Sequence, residues 1–299
     1  MSAEKIRETV QHLRLSADAL SALGVAIELQ LGNSHVTDPQ LEEKIKKVTG
    51  ILGLEDELKS TNKDILISVL AEVRGIFFEN AKHLASSTIE SGWNHVEEEI
   101  LQNQGLASAL IVIMFKRALV PLLGDLSIRL ESSTASFLDV GVGVGGISIA
   151  MARMWPKLRI VGIDPWEPAL KLARKNISNA GLTDRIELSQ TRVENLTEHA
   201  RFDLSWFPAT FISKEAILPS LKRIRDAIRP GGWVITGAIN GSADPLTTAL
   251  SDLRSIYWGG HPLSPHELKK FLHDSGFGDV RMIPGPPWSA AAIIVGCCI

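Results

Sequence analysis

The stretch Phe137-Leu138-Asp139-Val140-Gly141-Val142-Gly143-Val144-Gly145-Gly146 decides the fold of the second half of the chain. An apolar run ends in a turn built from glycine and valine, and the apolar segment Ile147–Ala152 follows at once. Glycine lets the backbone turn sharply and lets a ligand lie against bare main chain. A strand, a glycine turn and a helix in this order predict a nucleotide-type binding site at the edge of a parallel sheet.

Strands and helices alternate along the rest of the chain. The expected strands after the glycine turn are Leu158–Ile163, Arg185–Leu188, Phe202–Trp206, Trp233–Gly237, Asp279–Ile283 and Ala290–Cys297. The expected helices are Glu167–Ala180, Lys214–Ile228, Pro245–Trp258 and Pro265–Ser275. This alternation predicts an α/β fold, a Rossmann-like and mostly parallel sheet with helices on both faces.

Residues 1–130 show helical periodicity and no convincing strand. The expected helices are Ser2–Leu31, one that begins after Asp38, one capped by Ser60 or Thr61, and one that begins near Glu90 and runs past Trp93. Leu106–Leu123 is apolar nearly all round, so we expect it to be buried in the main core or in a subunit contact. A polar link at residues 131–134 predicts a helical domain over 1–130 and a binding domain over 131–299.

The composition is that of an ordinary soluble globular protein, with 45% hydrophobic and 22% charged residues. The formal net charge is −3 and no basic run stands out, so nucleic acid is not an expected partner. The longest apolar run, Leu106–Phe115, is too short to span a bilayer, and the charged start lacks the apolar core of a signal peptide. We therefore expect a cytoplasmic protein without a membrane partner. Cys297 and Cys298 are adjacent and suit neither a disulfide framework nor a metal site.

The glycines of the turn fit two ligand classes. Gly141, Gly143 and Gly146 match the dinucleotide pattern GxGxxG, whereas Gly141, Gly143 and Gly145 match GxGxG. A dinucleotide site usually keeps the position of Asp139 apolar, and an acid there suits a ligand with a cationic amine. A second acid, Asp164, closes the next strand, where a carboxylate can accept both hydroxyls of a ribose.

Four segments together carry a family resemblance. Leu138–Gly145, Val161–Asp164, Phe202–Trp206 and Arg229–Gly232 occur in the order and spacing of the motifs of class I S-adenosylmethionine-dependent methyltransferases. Over about 136–298 the chain resembles that family, and the resemblance implies a seven-stranded sheet whose last strand is antiparallel. It also implies S-adenosyl-L-methionine as the cofactor and, for a small-molecule enzyme, an N-terminal helical cap over the acceptor pocket.

The same resemblance implies roles for individual residues. Those implied to bind the cofactor are Asp139, Gly141, Val142, Gly143 and Gly145 for its methionine part, Asp164 for its ribose, Pro165, Trp166, Arg192 and Val193 for its adenine, and Trp206 and Phe207 for its sulfonium and methyl group. One residue departs from the pattern, because many relatives carry an acid where Arg192 stands. Arginine has no acceptor, so a backbone carbonyl or Gln190 would take the hydrogen bond of the adenine amine.

The catalytic base is harder to assign. Methyl transfer is an in-line displacement that depends on positioning, and a base is needed only when the acceptor is protonated. After the fourth strand the chain reads Trp206-Phe207-Pro208-Ala209-Thr210-Phe211, without the Asn/Asp-Pro-Pro-Tyr motif of amino-group methylation. We expect no metal, because no acidic cluster suggests a catechol-type site. His261, in a glycine loop, is the best base candidate, and His95 is the second.

The leading hypothesis is a methyltransferase that acts on a small molecule in specialised metabolism, with a possible homodimer formed through the N-terminal helices. An alternative uses S-adenosylmethionine itself as the substrate, through an intramolecular cyclisation, such as azetidine-2-carboxylate formation, that releases methylthioadenosine. A non-enzymatic cofactor-binding protein is a third hypothesis, and the intact Asp139–Gly145 and Asp164 argue against it. A nicotinamide oxidoreductase is a distant fourth.

Overall fold

The computed structural model describes residues 2–239, 244–283 and 291–299. The chain divides into two compact units, the first comprising residues up to Ser86 together with Gln102–Leu110, and the second comprising Ser87–Leu101 and Ile111–Ile299. The predicted domain boundary near residue 130 stays a prediction. Ala290, the first residue of the last predicted strand, lies outside the described residues.

The first unit is helical. Its helices are α1 (Ser2–Leu31), α2 (Pro39–Ile51), α3 (Glu55–Ser60), α4 (Lys63–Ala85) and most of α5 (Glu98–Ser108). The second half of α1 packs on α4 through Ile27, Leu66 and Leu70, which form a small buried core. Asp38 caps α2 as predicted, because its carboxylate accepts from the backbone of the second helical residue.

Two predictions for the helical region are wrong. Asn62 caps α4, whereas Ser60 ends α3 and the hydroxyl of Thr61 donates back to Glu57. The helix expected from near Glu90 is absent from residues 86–97, and α5 begins only at Glu98. Gly92 interrupts the helical pattern, because its φ of +126° is a backbone conformation that favours glycine.

The apolar stretch Leu106–Leu123 is less buried than expected. It comprises the end of α5, then α6 (Ile111–Met114), a π-helix (Phe115–Leu119) and a 3-10 turn (Val120–Leu122). Phe115 and Leu119 are fully buried in the main core of the second unit, whereas Leu106 and Leu122 are exposed. By length and composition alone, Glu98–Leu122 is a helical stretch that could cross a membrane, and the core helix of a soluble protein meets the same criterion.

A seven-stranded sheet organises the second unit. Its elements are α7 (Leu126–Leu130), β1 (Ser136–Val140), α8 (Gly146–Met154), β2 (Arg159–Ile163), α9 (Glu167–Asn179), β3 (Ile186–Ser189), β4 (Phe202–Phe207), α10 (Lys214–Ala227), β5 (Ile228–Ile239), α11 (Pro245–Tyr257), α12 (Pro265–Asp274), β6 (Gly278–Ile283) and β7 (Ala291–Cys297). The strand order is β3-β2-β1-β4-β5-β7-β6. Strands β1 to β5 pair in parallel, and β7 is antiparallel to both of its neighbours, which confirms the predicted sheet.

Hydrophobic layers cover both faces of the sheet. Phe137 and Leu204 face one layer with Met151 of α8, and Leu138 and Val234 face the other layer. The second layer is completed by Ile217 and Leu221 of α10 and by Leu268 and Leu272 of α12. This two-sided burial is typical of parallel sheets and explains the nearly continuous apolar character of the central strands.

The predicted element boundaries after the glycine turn agree with the structure to within one residue, with one exception. Strand β5 begins at Ile228 rather than at Trp233, so Arg229–Gly232 lies within it. The pairing with β4 shifts register there, and Gly231 has a φ of +77°. The four residues therefore form an irregularity inside the strand instead of a turn before it.

Candidate cofactor site

The glycine turn connects β1 to α8 through three left-handed residues. Gly141, Gly143 and Gly145 have φ values of +68°, +55° and +87°. A Cβ atom at Gly141 would lie 3.2 Å from Cγ of Pro208, so the turn runs close to the segment that follows β4. Side chains at these positions would be strained, and the bare backbone leaves room for a ligand to approach.

Asp139 is a buried carboxylate beneath this turn. Its relative exposure is 0%, and its Oδ2 accepts a hydrogen bond of 2.6 Å from the hydroxyl of Ser148. Its Oδ1 is buried without a partner among the described residues. Burial is the main cause of a pKa raised to about 7 for Asp139; the hydrogen bond from Ser148 opposes the shift, and the negative charge of Asp164 adds to it.

Asp164 lies at the end of β2 and accepts from two backbone N–H groups. Gly143 donates to its Oδ2 at 2.9 Å, and Trp166 donates to its Oδ1 at 2.8 Å. Burial raises the pKa of Asp164, and these two hydrogen bonds oppose the shift. Each carboxylate oxygen keeps a further lone pair, so both oxygens can still accept from the hydroxyls of a ribose.

These residues fit S-adenosylmethionine. A buried acceptor without a partner is costly, and the cationic amine of the cofactor's methionine part would satisfy Oδ1 of Asp139. The hydroxyl pair of the ribose matches the two oxygens of Asp164. Asp139 and Gly141–Gly145 would therefore hold the methionine end, and Asp164 would hold the ribose.

The predicted aromatic pair at the end of β4 is divided between the two faces of the sheet. Trp206 lies opposite Asp139 in the parallel pairing, so both side chains share one face. Its half-buried ring packs against Phe115, with 5.7 Å between ring centroids. Phe207 is fully buried in the core layer of the opposite face. Of the two, only Trp206 shares the face of the buried carboxylate.

Val142 and Val193 are buried core residues. A Cβ at Gly162 would lie 2.6 Å from Cγ2 of Val142, which shows how closely that valine packs on β2. Val193 begins a short 3-10 turn and belongs to the core layer of α10. Their predicted cofactor contacts stay predictions, and their side chains already pack in the protein interior.

The expected adenine site lies at the start of α9. Pro165 and Arg192 are exposed, and Gln190 Nε2 donates to the carbonyl of Pro165 at 3.4 Å. The indole of Trp166 is half-buried, and its Nε1 donates to the carbonyl of His95 at 2.7 Å. Oε1 of Gln190 is an acceptor, so it suits the expected hydrogen bond from the adenine amine.

An aromatic cluster that the sequence analysis did not identify joins three segments of the second unit. Phe211 and Trp258 stack with 4.5 Å between ring centroids, and Trp93 meets both edge-on, at 5.3 and 6.1 Å. His95 in turn meets the Trp93 ring at 4.7 Å. The only signal in the sequence was the aromatic character of these residues, because their positions are far apart along the chain.

His261 lies in the loop that this cluster anchors. It follows Gly260, where a Cβ would lie 2.0 Å from the carbonyl oxygen of Thr210. Thr210 belongs to the segment that begins with Pro208, the neighbour of Gly141. His261 is half-buried at this junction, whereas His95 is buried. The role of His261 as a base stays a prediction.

Metal-binding groups do not occur in the described part of the chain: no three His, Cys, Asp or Glu residues there are placed to hold a metal ion.

Ser148 is the second feature that the sequence analysis missed. A serine within the apolar opening of α8 was its one sequence signal, and the pairing with Asp139 depends on how α8 packs on β1.

Comparison with known proteins agrees with this geometry. A family model described as a methyltransferase domain matches residues 137–232. The ubiquinone biosynthesis O-methyltransferase of Leptothrix cholodnii is 30% identical over 162 residues, which cover 50% of this chain and 66% of that protein. The chain spans about half the length of the first curated relatives that it matches. By name, these relatives include both protein and small-molecule methyltransferases.

Solved structures resemble the chain over nearly its whole length. Human N-acetylserotonin methyltransferase in complex with SAM has a TM-score of 0.62 at 13% identity, covering 98% of this chain and 97% of that chain. The pyocyanin biosynthetic protein PhzM has a TM-score of 0.62 at 19% identity, covering 99% and 98%. Identities this low show the fold alone. Together, the family match and the solved structures show that the chain carries a methyltransferase domain over residues 137–232, with the fold of S-adenosylmethionine-dependent methyltransferases and a helical region before it.

Proposed function

We propose that the chain transfers the methyl group of S-adenosylmethionine to an oxygen atom of a small molecule in specialised metabolism. The observation that carries the proposal is the unpartnered Oδ1 of Asp139 beneath the glycine turn, on the same face as the half-buried Trp206. The names of the ubiquinone biosynthesis O-methyltransferase, of N-acetylserotonin methyltransferase and of the pyocyanin protein support a small acceptor.

The chain's own residues suit this reaction. S-adenosylmethionine, when bound, supplies an electrophilic methyl group on a positively charged sulfur. Asp139 holds the methionine end of the cofactor and Asp164 holds its ribose, and these two contacts determine where the sulfur lies. Orientation of this kind supplies much of the rate enhancement in a displacement. The aromatic ring of Trp206 attracts a nearby cation. His261 takes the proton of the acceptor hydroxyl, which is otherwise a weak nucleophile at neutral pH.

Product analysis tests the proposal. The purified protein is incubated with S-adenosylmethionine carrying a labelled methyl group, first alone and then with a panel of phenols and hydroxylated heteroaromatic compounds. We expect S-adenosylhomocysteine and a labelled methyl ether only when an acceptor is present. Methylthioadenosine from the cofactor alone would instead support the cyclisation hypothesis, and no turnover with any acceptor class would contradict the proposal.

His261 is the proposed base, and we expect His261→Asn to lower kcat for a hydroxyl acceptor by about 100-fold or more. Affinity for S-adenosylhomocysteine should change little, because the proposed role of His261 is toward the acceptor hydroxyl, whereas Asp139 and Asp164 are proposed to hold the cofactor. His266→Asn is the matched control, since His266 is exposed on α12. Equal kcat values for the two variants would remove His261 from the mechanism.

A second copy of the chain is the partner that we propose for α1. Ile6, Val10 and Leu13 lie one or two turns apart on this helix, and their side chains are 64%, 56% and 53% exposed. A helix stripe of this kind is usually covered by another apolar surface. The proposal is a homodimer formed through the N-terminal helices.

A further inference from the structure

The contact between Ser148 and Asp139 is fully buried. The two side chains have 0% exposure, and the hydroxyl donates to Oδ2 over 2.6 Å. The backbone N–H of Ser148 also acts on this carboxyl, because Ser148 lies in the first turn of α8, where N–H groups have no partner within the helix. Two groups of one residue thus act on the same carboxylate.

The geometry divides the two oxygens of Asp139 between different partners. Oδ2 is held by Ser148, and Oδ1 is left buried without a partner in the described structure. A freely rotating carboxylate would present either oxygen, whereas here Ser148 binds Oδ2 and leaves Oδ1 as the acceptor, in a side chain on the same face of the sheet as Trp206.

We propose that Ser148 is a positioning residue that holds the Asp139 carboxylate so that Oδ1 receives the cationic amine of S-adenosylmethionine. The inference rests on the cofactor assignment and extends the proposed function to a residue outside the glycine turn. Ser148 does not touch the reacting atoms. It acts through Asp139 by fixing the orientation of the carboxylate and by favouring its charged form.

The surroundings of Asp139 make the effect of Ser148 on its ionisation measurable. Among the groups around it, Asp164 is the charged one that acts on the carboxyl, and as a like charge it opposes ionisation. The facing residue on β4 is Trp206 and the facing residue on β2 is Gly162, neither of which carries a charge. Loss of the Ser148 hydroxyl therefore shifts the pH midpoint of cofactor binding upward.

The experiment is a calorimetric titration of S-adenosylhomocysteine into the full chain between pH 6 and pH 8.5. We expect Ser148→Ala to weaken binding roughly 10-fold or more at pH 7, the loss typical of a hydrogen bond to a charged group. The midpoint of its pH profile should lie above that of the wild type. Ser220→Ala is the matched control, because Ser220 is also a fully buried helix serine and its hydroxyl has no partner among the described residues. This control should follow the wild-type profile.

A double-mutant cycle distinguishes positioning from a merely structural role. In the Asp139→Asn background, Ser148→Ala should change affinity by less than about threefold, because the two residues act as a unit. A full loss in that background, or a wild-type pH profile for Ser148→Ala, would overturn the proposal. If Ser148→Ala fails to fold, Ser148→Cys serves, since it keeps the volume and weakens the donor. Binding needs no acceptor, so a failed methyl-transfer assay leaves this test unaffected.

Discussion

Asp139 combines two opposing requirements in one residue. The carboxylate needs to be charged to hold a cationic amine, yet it is fully buried, and burial raises its pKa to about 7. A buried carboxyl group without a cation destabilises the folded protein once the pH exceeds the ordinary pKa of an aspartate, and this effect is complete above about pH 7. We therefore interpret Asp139 as a residue whose contribution to stability is unfavourable until the cofactor is present.

The pH dependence of stability follows from this shift. Between pH 4 and pH 7 the folded protein holds a proton on Asp139 that the unfolded chain has released, so raising the pH through this window destabilises the fold. The variant Asp139→Asn carries no such charge, and its stability advantage should grow toward about 4 kcal/mol at pH 8 as an upper limit. Thermal unfolding of the cofactor-free proteins should show a Tm gap that widens from pH 5 to pH 8. A constant gap would contradict the assigned shift.

Asp139→Asn should stabilise the cofactor-free protein, but it should weaken cofactor binding. Asp139→Asn removes the charge that pairs with the amine, and we expect S-adenosylhomocysteine to bind at least about 10-fold more weakly at pH 8. At pH 6 the difference should narrow, because the wild-type carboxyl is then largely protonated. Titration at the two pH values measures this, and an equal loss at both would show that the variant acts through shape instead of charge.

At the scale of the element, the segment 87–97 shows where sequence reasoning stops. Glu90 to Trp93 has an acceptable helical pattern, but the backbone of Gly92 donates to the carbonyl of Tyr257, and Trp93 packs on Phe211 and Trp258. These partners are distant in sequence, so local periodicity carries no information about them. Strand β1 and the glycine turn were predictable, because their apolar run and φ-demanding glycines are local features.

The same distinction applies to the candidate site. Asp139 and Asp164 were predictable because Asp139 lies near the end of β1, two residues before the first glycine, and Asp164 directly follows β2. Ser148 and the aromatic cluster were not, since both depend on which elements pack together. The division of Trp206 and Phe207 between the two faces follows from strand alternation, which the sequence analysis did not apply to this pair.

Gly260 offers a test at the level of the loop. A Cβ there would lie 2.0 Å from the carbonyl oxygen of Thr210. This oxygen is a backbone atom, so it cannot move aside by a side-chain rotation. We expect Gly260→Ala to lower the unfolding free energy by about 1–3 kcal/mol and to raise KM for the acceptor. Gly237→Ala is the matched control, because within the described residues its Cβ would meet one atom, at 3.9 Å. Denaturant unfolding that showed equal losses would contradict the close packing of these two segments.

At the scale of the whole molecule, the helical first unit and the sheet-bearing second unit have separate cores. The matched family model covers only residues 137–232, all within the second unit. The first unit lies outside that match, and it carries the exposed apolar stripe on α1.

The proposed homodimer is tested by changing that stripe. The triple variant Ile6→Glu, Val10→Glu and Leu13→Glu should elute at the mass of one chain in light-scattering chromatography, whereas the wild type should elute at twice that mass. Leu84→Glu is the control, because Leu84 is 89% exposed and lies outside the stripe. A monomeric wild type would contradict the proposed dimer.

A crystal structure of the complex with S-adenosylhomocysteine tests the central claim most directly. The geometry of the site predicts the amine of the ligand at about 3 Å from Oδ1 of Asp139, with Oδ2 still bound to Ser148 and both ribose hydroxyls on Asp164. An amine that lies away from Asp139, with Oδ1 still unpartnered beneath the glycine turn, would contradict it.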